Sequence, residues 1–235
     1  GFAGIGANVL ARDISAALSG QDRDQSGPDD LEPSRAALLA VRERRIRPAR
    51  DEKVLCDWNG LMIAALAKAA QVFEDSALAE AARKAADFCL ENLRLPGGAL
   101  RHRWHDGQAA IDGFLDDYAF LVWGLIELYE ALFEVRYLEA ALELTAFMID
   151  HFRDDASGGF YLTTQAHENL FVRKKELVDG ALPSGNSVAA LNLARLGRLI
   201  GNPAWEEHAR RIGQAFSRQI ERFPSAFTHY LSALD

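Results

Sequence analysis

The sequence predicts an all-α fold: repeated helical hairpins forming an α/α toroid or a partial one, with short β-hairpins at one rim. Three observations predict it. Apolar residues keep a helical period through long blocks of good helix formers, the blocks are separated by two alternating kinds of break, and those breaks recur in register along the chain.

The blocks fall at 35–45, 59–73, 77–93, 117–133, 137–152, 186–200 and 204–221, with a further start at 225. Tight polar turns at Glu74-Asp75-Ser76, Glu134-Val135-Arg136 and Gly201-Asn202-Pro203 join pairs of helices into hairpins. Longer joins, 97–108 and 158–177, carry strand-forming residues around a turn and predict β-hairpins. Placing Trp58 over Tyr118 also puts Leu61 on Leu121 and Leu78 on Leu138, a shift of 60, and a third copy follows at a shift of 67. A helical hairpin cannot bury both faces alone, so such units stack into an open solenoid or a closed ring.

The first helix of each unit is apolar most of the way round, as in 61–66, 120–126 and 188–191, which assigns it to an inner ring. The second helices are mixed and belong outside. Successive inner helices then run in one direction and gather their N-termini at one rim. Three polar clusters converge there: Asp57-Trp58-Asn59, Asp116-Asp117-Tyr118 and Ser184-Gly185-Asn186. Helix N-termini favour oxygen-rich or anionic ligands. Capping accounts for one such residue per helix; it does not account for a second acid beside the first, nor for Trp58 and Tyr118 beside them, which suit a wall for stacking a ring. The competing explanation for those aromatics is core packing.

The 235 residues are 49% hydrophobic with a net charge of −8, enough for one sizeable core and unsuited to nucleic acid. One domain over 1–235 is expected, with a flexible linker at 20–34. The Arg-rich stretch 42–50 reads as a solvated helix end. Cys56 and Cys89 form no CxxC pair, and no apolar run reaches the length of a membrane span, so a reducing cytoplasm is expected. The chain starts at Gly1 and stops at Asp235 within a periodic stretch, which suggests a fragment or processed chain. No HxH or HxxxH zinc spacing, phosphate loop, dinucleotide fingerprint or nucleophile elbow is present, so no metal and no cofactor are expected. Of the six histidines, His102 and His105 lie on the first hairpin at the rim.

The segments 45–66 (RIRPARDEKVLCDWNGLMIAAL), 113–121 (GFLDDYAFL) and 174–196 (KKELVDGALPSGNSVAALNLARL) together resemble the C-terminal part of the thioredoxin-fused, spermatogenesis-associated protein family. The resemblance implies an α/α toroid like those of six-hairpin glycosidases and N-acylglucosamine 2-epimerases, preceded in the family by a thioredoxin-like module that this chain lacks. The family's recurrent residues fall here on Arg47, Pro48, Asp51, Lys53, Trp58, Asn59 and Gly60, on Asp117 and Tyr118, and on Asp179, Gly180, Pro183, Ser184, Gly185 and Asn186. About three complete hairpins are present, which makes the ring partial and self-association a further expectation.

A carbohydrate-binding or carbohydrate-active domain is therefore expected, carrying out glycoside hydrolysis or sugar isomerisation at a rim pocket. Hydrolysis needs carboxyls held at the anomeric oxygen. The expected acid/base is Asp117, with Asp57 or Asp179 as second carboxylate. Trp58 and Tyr118 would stack on the sugar. Asn59, Lys53, Asp116, His102, Arg173, Ser184 and Asn186 would bind its polar groups, and an epimerase would use His102 as base. The alternative is a non-catalytic scaffold or protein-interaction domain working with the absent thioredoxin-like module, its rim charges paired with one another.

Overall fold

The computed structural model describes residues 31–166 and 171–234, and the chain divides into two compact units, Gly1–Asp51 and Glu52–Asp235. Within the first, helix α1 (Glu32–Glu43) buries none of its residues. Pro33 fits the first turn, where its missing N–H costs nothing, and Glu32 and Arg42 match the two ends of the helix dipole. Helix formation therefore begins inside the expected linker, at Glu32; residues 20–30 lie outside the described residues. Arg47 pairs with Glu43 one turn back, as a solvated helix end would.

The second unit is built of three helical hairpins. They are α2 (Cys56–Phe73) with α3 (Ser76–Asn92), α4 (Leu115–Leu132) with α5 (Val135–Phe152), and α6 (Gly185–Ile200) with α7 (Pro203–Arg222). A 3₁₀ turn, Pro224–Ala226, and a short helix α8 (Thr228–Ser232) follow. Each hairpin turns on a residue in the left-handed region, Glu74, Phe133 or Gly201, which ends the first helix by donating its N–H four residues back. Asp75 and Asn202 then cap α3 and α7 through their side chains, by accepting from Ala77 and Ala204.

The inner helices α2, α4 and α6 pack side by side, with α4 between the other two and buried over most of its length. The α2–α4 contact is made backbone to backbone. A Cβ on Gly60 would stand 2.5 Å from the Leu121 amide nitrogen, and one on Gly124 would stand 2.7 Å from the Gly60 carbonyl oxygen, so both positions need glycine. The outer helices expose a polar face; α7 buries only Ile212 and Phe216. On the far flank of α2, Trp58, Met62 and Val72 are exposed at helical spacing.

The first expected β-hairpin forms. Strands β2 (Arg101–His105) and β3 (Gln108–Asp112) pair antiparallel about a two-residue turn, Asp106-Gly107, whose φ values are both positive, and β1 (Val54–Leu55) adds to the other side of β2. The second expected β-hairpin does not form a ladder among its described residues. One isolated bridge, Arg153 with Phe160, and a bond from Leu162 N to Lys174 O remain. A side-chain knot replaces the ladder: Asp154 accepts from Ser157 Oγ, Tyr161 Oη and Lys175 Nζ, the last at 2.7 Å. The Lys175 contact above all holds the Asp154 carboxyl well below the usual carboxylate range.

No helix of the described residues is long and apolar enough to cross a membrane. Cys56 and Cys89 are buried free thiols.

Candidate functional site

The first turns of the three inner helices meet at one rim, and Asp117 is the bolt between two of them. It sits at the third position of α4, fully buried, and accepts from the N-cap amide of Phe114 at 2.8 Å, the return half of a capping box. Its other oxygen accepts from the Asp57 amide at the start of α2, at 3.0 Å. His102 on β2 brings Nδ1 within 3.0 Å of the same oxygen. The carboxyl expected to serve as acid/base is therefore enclosed by protein donors, and in this geometry it positions α2, α4 and an imidazole.

Asp57, the second residue of α2, accepts from the Trp58 amide at 2.7 Å; burial first, and then the neighbouring Asp117, raise its pKa. The hydrogen bond with Asp117 raises the His102 pKa and fixes its ring, with Nδ1 turned inward. Asp57, His102 and Asp117 are the one group of potential metal ligands among the described residues, with donor atoms within 4.8 Å of one another. The amide and imidazole bonds to Asp117 account for that closeness without an ion.

Asp116 is placed differently. One residue on from Leu115, it turns about 100° around the helix from Asp117 and lines a cleft of about 210 Å³ between α4 and the loop leading into α6. Glu176, Val178, Leu182 and Ser184 line the same cleft. The α6 backbone presses against its side chain: a Cβ on Gly185 would collide with Asp116 Oδ1. The Gly185 amide opposes the shift, but burial, followed by the charges of Asp117 and Asp57, pushes the Asp116 pKa up to about 6. A carboxyl whose pKa is raised toward neutrality, in an open cleft at a helix-rich rim, is chemically suited to proton transfer.

The remaining expected site residues divide between exposed and structural positions. Trp58 is 61% exposed at the rim end of α2 and open to stacking. Tyr118 is 2% exposed: its ring stacks on Phe147 at 5.2 Å and its hydroxyl accepts from the Leu100 amide, so it is a core residue and not a ligand wall. Asn59 donates to the Leu55 carbonyl, and Lys53 is exposed in the loop before β1. Asn186, fully buried, clamps the 158–177 join by bonding both backbone groups of Phe160 and the Glu176 carbonyl. Ser184 caps α6 through the Ser187 amide. Asp179 accepts from the Ser184 amide at 2.9 Å and the His229 amide at 2.8 Å, tying the loop to α8. Arg173 donates to the Thr163 carbonyl and lies over the Tyr161 ring.

Two groups were not singled out from sequence. Glu176 lies in the 174–196 segment with no spacing to distinguish it. Trp123 and Glu127 lie four apart on α4, where the indole N–H donates to the buried carboxylate at 2.9 Å; read as periodicity, they are part of an inner-helix core.

The helical hairpins, the rim at which their first turns meet and the cleft there define the class: an α/α toroid of the kind found in carbohydrate-active enzymes. Solved structures show the same fold. A cellobiose 2-epimerase from Spirochaeta thermophila matches with a TM-score of 0.58 at 19% identity, over 70% of this chain and 43% of the other. An α-1,6-mannanase of Salegentibacter, an inactive variant with two adjacent aspartates changed to asparagine and in complex with α-1,6-mannotriose, matches with a TM-score of 0.54 at 12% identity, over 86% of this chain and 57% of the other.

Within that class the chain is a homologue of part of spermatogenesis-associated protein 20, as the sequence motifs implied. It is 35% identical to the human protein over 211 residues, 84% of this chain. The chain spans about a quarter, 26%, of that relative's length. No family model matches the sequence.

Proposed function

We propose that the second unit is a carbohydrate-active toroid domain that hydrolyses a glycosidic bond in the rim cleft. Asp116 is the general acid, giving its proton to the glycosidic oxygen as the bond to the anomeric carbon breaks. Glu176 is the second carboxyl, taking a proton from the water that adds to that carbon. Burial, and then the charges of Asp117 and Asp57, hold the Asp116 pKa above the ordinary carboxylate range, and Trp58 offers an exposed ring face beside the rim. The observation that carries this reading is the raised pKa of Asp116 in the cleft. The neighbouring toroid enzymes support it as analogy: one is an α-1,6-mannanase whose inactive form lacks an adjacent aspartate pair.

The experiment is sugar release from α-1,6-mannotriose and cellobiose by the wild-type chain and by D116N. Release by the wild type that falls about 100-fold or more in D116N is expected. No release from either sugar, or release that survives the substitution, refutes the assignment.

One observation favours a non-catalytic scaffold instead: the carboxyls of Asp117 and Asp179 are fully engaged by protein donors. That reading requires that neither sugar binds.

A further inference from the structure

A second cavity, of about 520 Å³, lies against the inner helices on the other side of the 179–183 loop. Leu61, Ala65 and Lys68 of α2, Trp123 of α4 and His229 of α8 line it. Gly180, Leu182 and Pro183 line both this cavity and the rim cleft, so a single short loop is the shared wall. We infer that this cavity is a second saccharide subsite, so that the ligand of the domain is an oligosaccharide of at least two rings lying across the loop. The inference rests on the rim cleft being a sugar site and adds the size of the substrate.

Five observations support it. The lining combines an apolar floor, an aromatic ring and few polar groups, the mixture that orients a hydroxylated ring. The Trp123 indole is held by its bond to Glu127, and its ring lies 5.0 Å from the His229 ring at an angle of 53°, forming a fixed two-ring wall. In that wall His229 Nε2 is buried without a hydrogen-bond partner among the described residues. A buried polar atom of this kind calls for a partner, and once the ring turns toward the cavity a sugar hydroxyl supplies one in either tautomer because it both donates and accepts. Beside Trp123, Lys68 is half exposed; it reaches the same Glu127 oxygen at 3.4 Å and keeps further N–H donors for a ligand. Asp179 fixes the dividing loop by accepting from Ser184 and His229, one on each side of it.

The test is isothermal titration of the whole chain with mannose and with α-1,6-mannotriose, and with glucose and cellobiose, for the wild type, D116N, A65W and K68A. Ala65 is an exposed residue at the lip of the cavity, so the larger side chain of A65W enters the cavity and not the core. In at least one pair the oligosaccharide should bind about tenfold or more tightly than its monosaccharide. A65W and K68A should remove that advantage and leave the monosaccharide affinity unchanged. An oligosaccharide that binds no more tightly, or an advantage that persists in both variants, overturns the inference. Monosaccharide binding that depends on Asp116 together with such a result overturns this inference alone; no binding of any of the four sugars overturns it together with the cleft reading.

Discussion

Replacing Asp116 by asparagine should change how stability depends on pH. The Asp116 pKa rises from 3.8 to about 6 on folding. Each unit corresponds to about 1.4 kcal/mol, so the native state holds the proton about 3 kcal/mol more tightly than the unfolded chain does. The sign follows from the direction of the shift. The contribution is complete below the unfolded pKa near 4 and is lost as pH rises through 6, because the native state must then carry a charge that burial, Asp117 and Asp57 all disfavour. D116N cannot ionise and lacks that dependence. Urea unfolding at intervals from pH 4 to 8 reads the difference directly. Relative to D116N, the wild type should lose about 2.4 kcal/mol between pH 4 and pH 7. A difference that stays flat to within about 1 kcal/mol across that range would show an ordinary carboxyl at position 116 and refute the electrostatic argument.

Other perturbations bear on the framework that holds the cleft. D117N places an amide where the Phe114 and Asp57 amides both point their hydrogens, leaving a buried donor unmatched; it should destabilise by about 3–5 kcal/mol in urea melts at pH 7, and a loss below about 1 kcal/mol would remove Asp117 from its bolting role. G60A forces a methyl group into the α4 backbone and should lower stability by about 1–3 kcal/mol or more, seen as a drop in Tm. The same substitution at Gly180, where a Cβ meets nothing within 4 Å, is the matched control and should be close to neutral.

The helical hairpins were legible because their signals are local. Apolar period, turn residues and capping residues all act within a few positions, and the observed helix boundaries differ from the expected ones by three residues at most. The convergence of the three first turns was legible from the repeat, since units in register must present equivalent ends together. Which residue of each cluster faces the cleft was not. Asp116 and Asp117 are about 100° apart on α4, and Tyr118 is about 200° from Asp116, so neighbouring residues meet cleft, cap and core respectively. A cluster read as a unit hides that division, and Tyr118 was consequently expected at the ligand and found stacked on Phe147. The 158–177 join shows the other limit. Its strand-forming residues suggested a ladder, whereas Asp154, Tyr161 and Lys175, distant in sequence, hold it by side chains. Asn186 belongs to the same limit: its amide suits a sugar hydroxyl as well as a backbone, and only the packed fold shows that Phe160 and Glu176 occupy it.

The most direct measurement is a carbon-detected NMR titration of the Asp116 carboxyl, assigned by comparison with D116N and repeated with α-1,6-mannotriose or cellobiose present. The account predicts a midpoint near 6 in the free protein and a displaced midpoint when one of the sugars is bound. A midpoint near 3.8 that neither sugar moves would contradict it.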